Sequence, residues 1–152
     1  MSYDRDFLEQ AIRLAEANVA QGGRPFGAVL VREGQQLTAA SNQMHVSFDP
    51  SAHAELLCIR QASQLLASNR LEGCVIYASG QPCPMCLSAM HLCGISRVVF
   101  AATNAEGEPF GLSTAGVYQQ LSLPLAQQRL RIEHVAHSSM TPLYQRWYAE
   151  HA

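Results

Sequence analysis

Apolar and polar positions recur along this chain in two rhythms, and the switches between them mark out its elements. Residues 4–20, "DRDFLEQAIRLAEANVA", place Phe7, Leu8, Ala11, Ile12, Leu14, Ala15 and Val19 at roughly the helical period, which predicts an amphipathic helix ended by Gly22–Gly23. "PFGAVLV" (25–31) is a short apolar run of buried-strand type, "REGQ" is its turn, and "QLTAASN" (36–42) is the second arm of a hairpin. The spacing predicts a second helix over 52–68, with Asp49 or Ser51 near its cap and Pro50 close to its start. A strand in "CVIYAS" (74–79), a short helix over 84–94 closed by Gly94, and a strand in "RVVFAA" (97–102) follow. After the loop "TNAEGEPFGLSTAG" come a helical stretch near 116–121, an alternating segment "RLRIEHVA" (129–136) expected as a fifth strand, and a terminal helix in "TPLYQRWYAEHA" with Pro142 in its first turn. Buried strands linked by crossover helices imply an α/β protein: a three-layer α/β/α sandwich around a five-stranded mixed, mainly parallel sheet, with the opening hairpin as the antiparallel pair. The expectation is a single domain over residues 1–152.

Composition narrows the partners. A length of 152 residues is enough for one compact core. No apolar run approaches the ~20 residues of a membrane helix, and the acidic, polar start "MSYDRDFLEQ" reads as neither signal nor transit peptide. The formal net charge is -2; Lys is absent and the Arg residues are scattered, so no electrostatic footprint for a phosphate backbone is evident and nucleic acid is not the expected partner. Five Cys, an odd number without an export signal, point to a reduced, cytoplasmic compartment. There a C-x-x-C pair is a metal or redox site sooner than a disulfide framework.

The chemistry lies in two short stretches. "DPSAHAELLCIR" (49–60) sets His53 and Glu55 two apart at a helix start, and "QPCPMC" (81–86) sets Cys83 and Cys86 three apart beside two prolines. Catalytic zinc takes three protein ligands and keeps a fourth position for water; His53, Cys83 and Cys86 supply three. The cysteines are i, i+3 across a helix start, so both sulfurs can face one side. Helix N-termini favour thiolate over thiol. Glu55 points elsewhere on the helical wheel, which makes it a poor ligand and a good proton carrier beside the metal. The competing readings are a structural zinc closed by a fourth cysteine, with Cys58, Cys74 and Cys93 as the spare candidates, and a thiol–disulfide pair at Cys83 and Cys86. The spare cysteines read better as small buried hydrophobes, and a redox pair leaves Glu55 beside His53 without a role.

Together "HAE" and "PCPMC" match the pattern H-x-E…P-C-x-x-C of zinc-dependent nucleobase deaminases. The chain resembles the cytidine and deoxycytidylate deaminase superfamily, and within it the bacterial guanine deaminase and tRNA adenosine deaminase branch. The resemblance extends to "PFGAVLV", the Asn of "SNQ", "DPSAHAE", "RVVFAA" and the closing P-x-x-x-x-W helix, the last leaning toward the guanine enzymes. It implies a cytidine deaminase-like fold, a Zn2+ cofactor and a homodimer or larger oligomer. It also implies a small-molecule nucleobase substrate, guanine favoured, with tRNA adenosine or cytosine and triazine-type bases as the alternatives. By the same resemblance Asn42 hydrogen-bonds the base. Phe26, the Gly27–Ala28 backbone and Ala54 stand at the pocket wall, the loop from Thr103 to Thr114 reads the far edge through Ser113 and Thr114, and the C-terminal helix closes over the pocket. Trp147 and Tyr148 either wall that pocket or anchor the last helix.

Two features depart from the family pattern. Gln81 stands where Glu commonly precedes the first metal Cys. "FGLSTAGVY" carries Ser113 and Thr114 where guanine deaminases often have acidic residues, with Glu106 and Glu108 nearby. The first leaves the ligands alone and changes the pocket charge; the second replaces a charge-assisted contact to a purine N–H with neutral hydroxyls.

Overall fold

The computed structural model describes residues 2–152. Its elements are α1 (Ser2–Ala20), β1 (Gly27–Arg32), β2 (Gln35–Ser41), a single turn α2 (Met44–Ser47), α3 (Ala54–Leu66), β3 (Cys74–Gly80), α4 (Pro84–Cys93), β4 (Arg97–Ala102), a single turn α5 (Asn104–Gly107), α6 (Ala115–Leu121) and α7 (Met140–His151). The chain divides into two compact units, Met1–Tyr118 and Gln119–Ala152.

The first unit is built on a four-stranded sheet in the order β2-β1-β3-β4. β1 is antiparallel to both β2 and β3, and only β3 and β4 run parallel. Two expectations are corrected here. The sheet is mixed but not mainly parallel, because β1 lies between the two strands that α3 connects. β2 and β3 do run in the same direction, as a crossover helix requires, but the hairpin partner separates them. The expected fifth strand at 129–136 is irregular backbone among the described residues; an alternating pattern fits a strand only where another strand offers a ladder, and none pairs with it. The β1–β2 turn uses Glu33 and Gly34 at φ 51° and 76°, the left-handed pair that a two-residue hairpin turn requires.

Both faces of the sheet are covered, and the period-2 alternation of the strands sorts their side chains. Ala28, Leu30 and Ile76 face α3 and α4, packing on Ala54, Cys58, Ala62, Cys86 and Met90. Val29, Val31 and Tyr77 point the other way, onto Ala11 and the half-buried Phe7, Leu8 and Leu14 of α1. Phe7 and Tyr77 meet with ring centroids 5.2 Å apart. At Gly27 a Cβ would stand 2.3 Å from the Ala11 carbonyl, so this close approach of α1 to β1 admits only glycine. Cys58, Cys74 and Cys93 are all buried, in the apolar role expected for them.

The second unit holds a 3-10 turn at Leu125–Gln127, irregular backbone and α7. On α7 the Trp147 and His151 rings stack with centroids 4.6 Å apart, and Leu143, Tyr144, Trp147 and Tyr148 form an exposed apolar face.

Candidate active site

The strand ends bring the two chemical stretches together. β2 leads through Asn42 into the segment that starts α3, and β3 leads through Gln81–Cys83 into α4. His53 is the N-cap of α3, with extended backbone at φ -77°, ψ 149°. Cys83 is the N-cap of α4; its Sγ accepts from the Cys86 N–H at 3.5 Å, and Pro84 occupies the first helical position. A thiolate there completes the orphan N–H groups of the helix and meets its positive end.

His53 Nδ1 lies 3.4 Å from Cys83 Sγ and 3.6 Å from Cys86 Sγ. Tetrahedral zinc with S at ~2.3 Å and N at ~2.0–2.1 Å requires an S···N separation of about 3.6 Å. One imidazole and two thiolates at this spacing fit Zn2+. Among the described residues this is the one cluster whose three donor atoms lie within 4.8 Å of one another. None of the three spare cysteines belongs to it, so no fourth protein ligand closes the site as a structural zinc would require.

The electrostatics follow from this packing. Hydrogen bonding from Cys86, then from His53, holds the Cys83 thiol down to about 4. Cys86 is pushed up, because the neighbouring sulfur and burial both oppose a second thiolate. His53 is raised by its hydrogen bond to Cys83. Glu55 is 7% exposed, and burial first, then the charge of Cys83, lift its carboxyl to about 7. It lies in the wall of the same cavity as His53 and Cys83, outside the ligand cluster, as its place on the helix predicts.

That cavity has a volume of about 120 Å³. Of the sequence-predicted residues, Phe26, Asn42, His53, Glu55, Cys83, Ser113 and Thr114 line it. Cys86 lies beneath, fully buried. Ala54 does not line the cavity; it is fully buried in the core facing α3 and α4. Trp147 lies in the second unit and is 59% exposed.

Asn42 is 1% exposed. Its Oδ1 accepts the Met44 N–H at 3.0 Å, which fixes the amide orientation and turns Nδ2 toward Met44 Sδ at 3.4 Å, a weak acceptor that a ring acceptor can displace. Gln81 is oriented the same way: its Oε1 accepts the Asn104 N–H at 2.8 Å, leaving Nε2 free to donate. Asn104 Oδ1 in turn accepts the Thr114 N–H at 3.2 Å, and the Tyr118 hydroxyl donates to the Pro82 carbonyl. The segment carrying Cys83 is therefore braced to the rim at 111–114 through Asn104 and to α6 through Tyr118. Ser113 Oγ accepts the Ala115 N–H at 3.1 Å, so its own proton remains available to a ligand. Arg24, Met44, Gln81 and Leu112 line the cavity as well. Sequence reasoning gave Arg24, Met44 and Leu112 no role, since a loop Arg, a Met and a loop Leu carry no pattern of their own.

This fold and cluster define a zinc-dependent deaminase. The sequence profile of the cytidine and deoxycytidylate deaminase zinc-binding region matches residues 1–102, and the chain belongs to that family. It is a hydrolytic deaminase. It is similar to the guanine deaminase of Bacillus subtilis (strain 168), at 33% identity over 142 residues, covering 93% of this chain and 91% of the relative. A crystal structure of guanine deaminase from Bacillus subtilis superposes with a TM-score of 0.90 at 32% identity, covering 95% and 93% of the two chains. A tRNA-specific adenosine deaminase of Aquifex aeolicus (strain VF5) is 34% identical over 128 residues, covering 84% of this chain and 82% of the relative.

Proposed function

We propose that this protein releases ammonia from a free amino-substituted nucleobase, guanine before others, in the cytoplasm and as a homodimer. The observation that carries the reading is the small cavity that closes on His53, Cys83 and Glu55, in a chain whose similarity to a guanine deaminase runs through both compact units. The two units act as one deaminase domain over residues 1–152. The net charge of -2 and the absence of Lys favour a free base over RNA, whose binding draws chiefly on contacts to phosphates.

His53, Cys83 and Cys86 would hold the zinc. When bound, it supplies the Lewis acidity that makes water a nucleophile near neutral pH. Glu55 takes one proton from the incoming water and passes it to the ring nitrogen as the C–O bond forms; it then takes the second, from the hydroxyl now on the ring carbon, and passes it to the amine, which leaves as ammonia as the C–N bond breaks and the ring carbonyl forms; its burial suits a carboxyl that must both hold and release a proton. Asn42 Nδ2 donates to an acceptor on the ring and so fixes which carbon faces the ligand cluster. Phe26 covers one wall with an apolar surface against which a flat ring packs.

The second reading, a tRNA adenosine deaminase, is favoured by the Aquifex aeolicus relative. The test is ammonia release from guanine, 2,6-diaminopurine, cytosine, amino-triazines and an anticodon stem-loop carrying adenosine. Turnover of guanine with an inert stem-loop is expected; inosine formation in the stem-loop with every free base inert would replace the first reading by the second.

A further inference from the structure

Among the described residues that line the cavity, Arg24, itself exposed to solvent, is the only acidic or Arg residue besides Glu55. Among the described residues its guanidinium, like that of Arg32 on β1, forms no ion pair, whereas Arg5, Arg13, Arg60, Arg70 and Arg97 of the same unit each meet a carboxylate.

Its backbone is fixed from below. Asn18 of α1, 2% exposed, donates through Nδ2 to the carbonyls of Arg24 and Asn42, both at 2.8 Å. Its own carbonyl accepts the Gly23 N–H at 2.8 Å. One buried amide thus ties together the backbones of two wall residues from loops that are distant in sequence. At Gly23 a Cβ would stand 2.5 Å from Asn18 Nδ2, so the turn that carries Arg24 sits hard against that amide.

The wall therefore presents Arg24, the Asn42 Nδ2 and the Gln81 Nε2 as donors, and the one carboxylate facing them is occupied with proton transfer. Such a wall is matched by a ring edge that accepts hydrogen bonds or carries negative charge.

We propose that Arg24 is a substrate-selecting residue whose guanidinium pairs with an oxo-bearing or ionised edge of the heterocycle, so that the pocket favours amino heterocycles with an acidic ring N–H. The proposal rests on the deaminase reading of this cavity and sharpens its substrate class. Gln81, Ser113 and Thr114, which also line the cavity, agree with it, because an amide and two hydroxyls set no further carboxylate against such an edge.

The test uses the zinc-loaded, full-length protein and two rings of nearly equal size. 8-Azaguanine replaces one ring CH of guanine by nitrogen and is the stronger N–H acid. At mildly alkaline pH it is largely anionic while guanine is largely neutral. The readout is the ratio of kcat/KM for 8-azaguanine to that for guanine, in wild type, Arg24→Gln and Arg24→Lys, with zinc content measured for each. The ratio is expected to fall about two- to fivefold in Arg24→Gln, through KM, the scale of losing one solvent-facing charge-assisted pair, and to recover in part in Arg24→Lys. An unchanged ratio in Arg24→Gln with its zinc intact overturns the proposal and leaves the deaminase reading standing. Release of ammonia from neither ring by the wild type overturns both.

Discussion

The floor and the rim of the cavity are built on different terms. The floor consists of His53, Cys83 and Cys86, with Glu55 beside them, all set by the N-termini of two helices packed on the same face of the sheet. Three of these four are buried, and each is fixed by an element whose own hydrogen bonds and apolar packing would hold it without the site. The rim comes from separate loops: Arg24 and Phe26 before β1, Asn42 and Met44 after β2, Gln81 after β3, and residues 111–114 before α6. Its backbone segments are held to one another by side chains outside the cavity wall, those of Asn18, Asn104 and Tyr118. A helix N-terminus gives a geometry that tolerates little variation and suits the chemistry that must not change. A rim of mutually braced loops can be retuned one residue at a time, and that is where two relatives with one mechanism can differ in substrate.

The comparison breaks most visibly at the floor. Cys83→Ser or Cys86→Ser should lose zinc and all activity above background, and lower Tm, because a hydroxyl does not replace thiolate as a ligand. Zinc by elemental analysis and a thermal melt check this; a zinc-free variant with wild-type turnover would remove the metal from the reaction. Glu55→Gln should keep the zinc and the fold and lose about 10²–10⁴-fold in kcat, the usual worth of general acid–base catalysis. Loss of zinc in Glu55→Gln would show that the carboxylate belongs with the ligands.

How much of this was legible in the sequence follows the same division. "HAE" and "PCPMC" each place their residues within a single turn, so spacing alone carried the floor. At the rim the contributing loops lie from 16 residues (Phe26 to Asn42) to 90 residues (Arg24 to Thr114) apart in sequence and meet only through the sheet order. Asn42, Phe26, Ser113 and Thr114 were reached through the family resemblance, and Arg24 was not reached at all. A buried Asn on α1 that donates to two loop carbonyls leaves no periodic trace beyond one polar residue in an apolar stripe. The sheet failed in a parallel way. The crossover gave the relative direction of β2 and β3 correctly, but adjacency depends on where the hairpin partner lies. The alternation at 129–136 described a strand without a neighbour.

The rim responds in smaller steps. Asn42→Ala removes a buried donor and should lower kcat/KM by about 10- to 100-fold, since an unmatched buried polar group on the ligand costs about 1–3 kcal/mol; steady-state kinetics with zinc quantified alongside measures it, and an unchanged value would move the base away from Asn42. Asn104→Ala touches neither ligand nor substrate. It frees the Thr114 N–H and with it the rim at 111–114, so a rise in KM of a few-fold with kcat and zinc unchanged is expected. A fall in kcat at constant KM would mean that the brace acts on the floor, and the division drawn here would fail.

The smallest effect belongs on the opposite face of the sheet, where a change should leave floor and rim alone. Asp4 of α1 accepts from the Tyr77 hydroxyl at 2.6 Å and from the Arg97 guanidinium at 2.6 and 2.8 Å. The Arg97 hydrogen bonds first, then Tyr77, hold its carboxyl well below the usual carboxylate range. A carboxyl whose folded value is depressed favours the native state above the ordinary range, near 4, and that contribution disappears as the pH falls toward the folded value. Asp4→Asn keeps the size and loses the charge. Its Tm should lie slightly below wild type at pH 7, and the gap should narrow as the pH is lowered through the ordinary carboxylate range, with kcat/KM unchanged throughout. A gap that stays constant down to acid pH would assign the loss to packing of the α1 end and not to its charge. A change in kcat/KM would mean that the α1 face reaches the site through Asn18 more strongly than through its two hydrogen bonds alone.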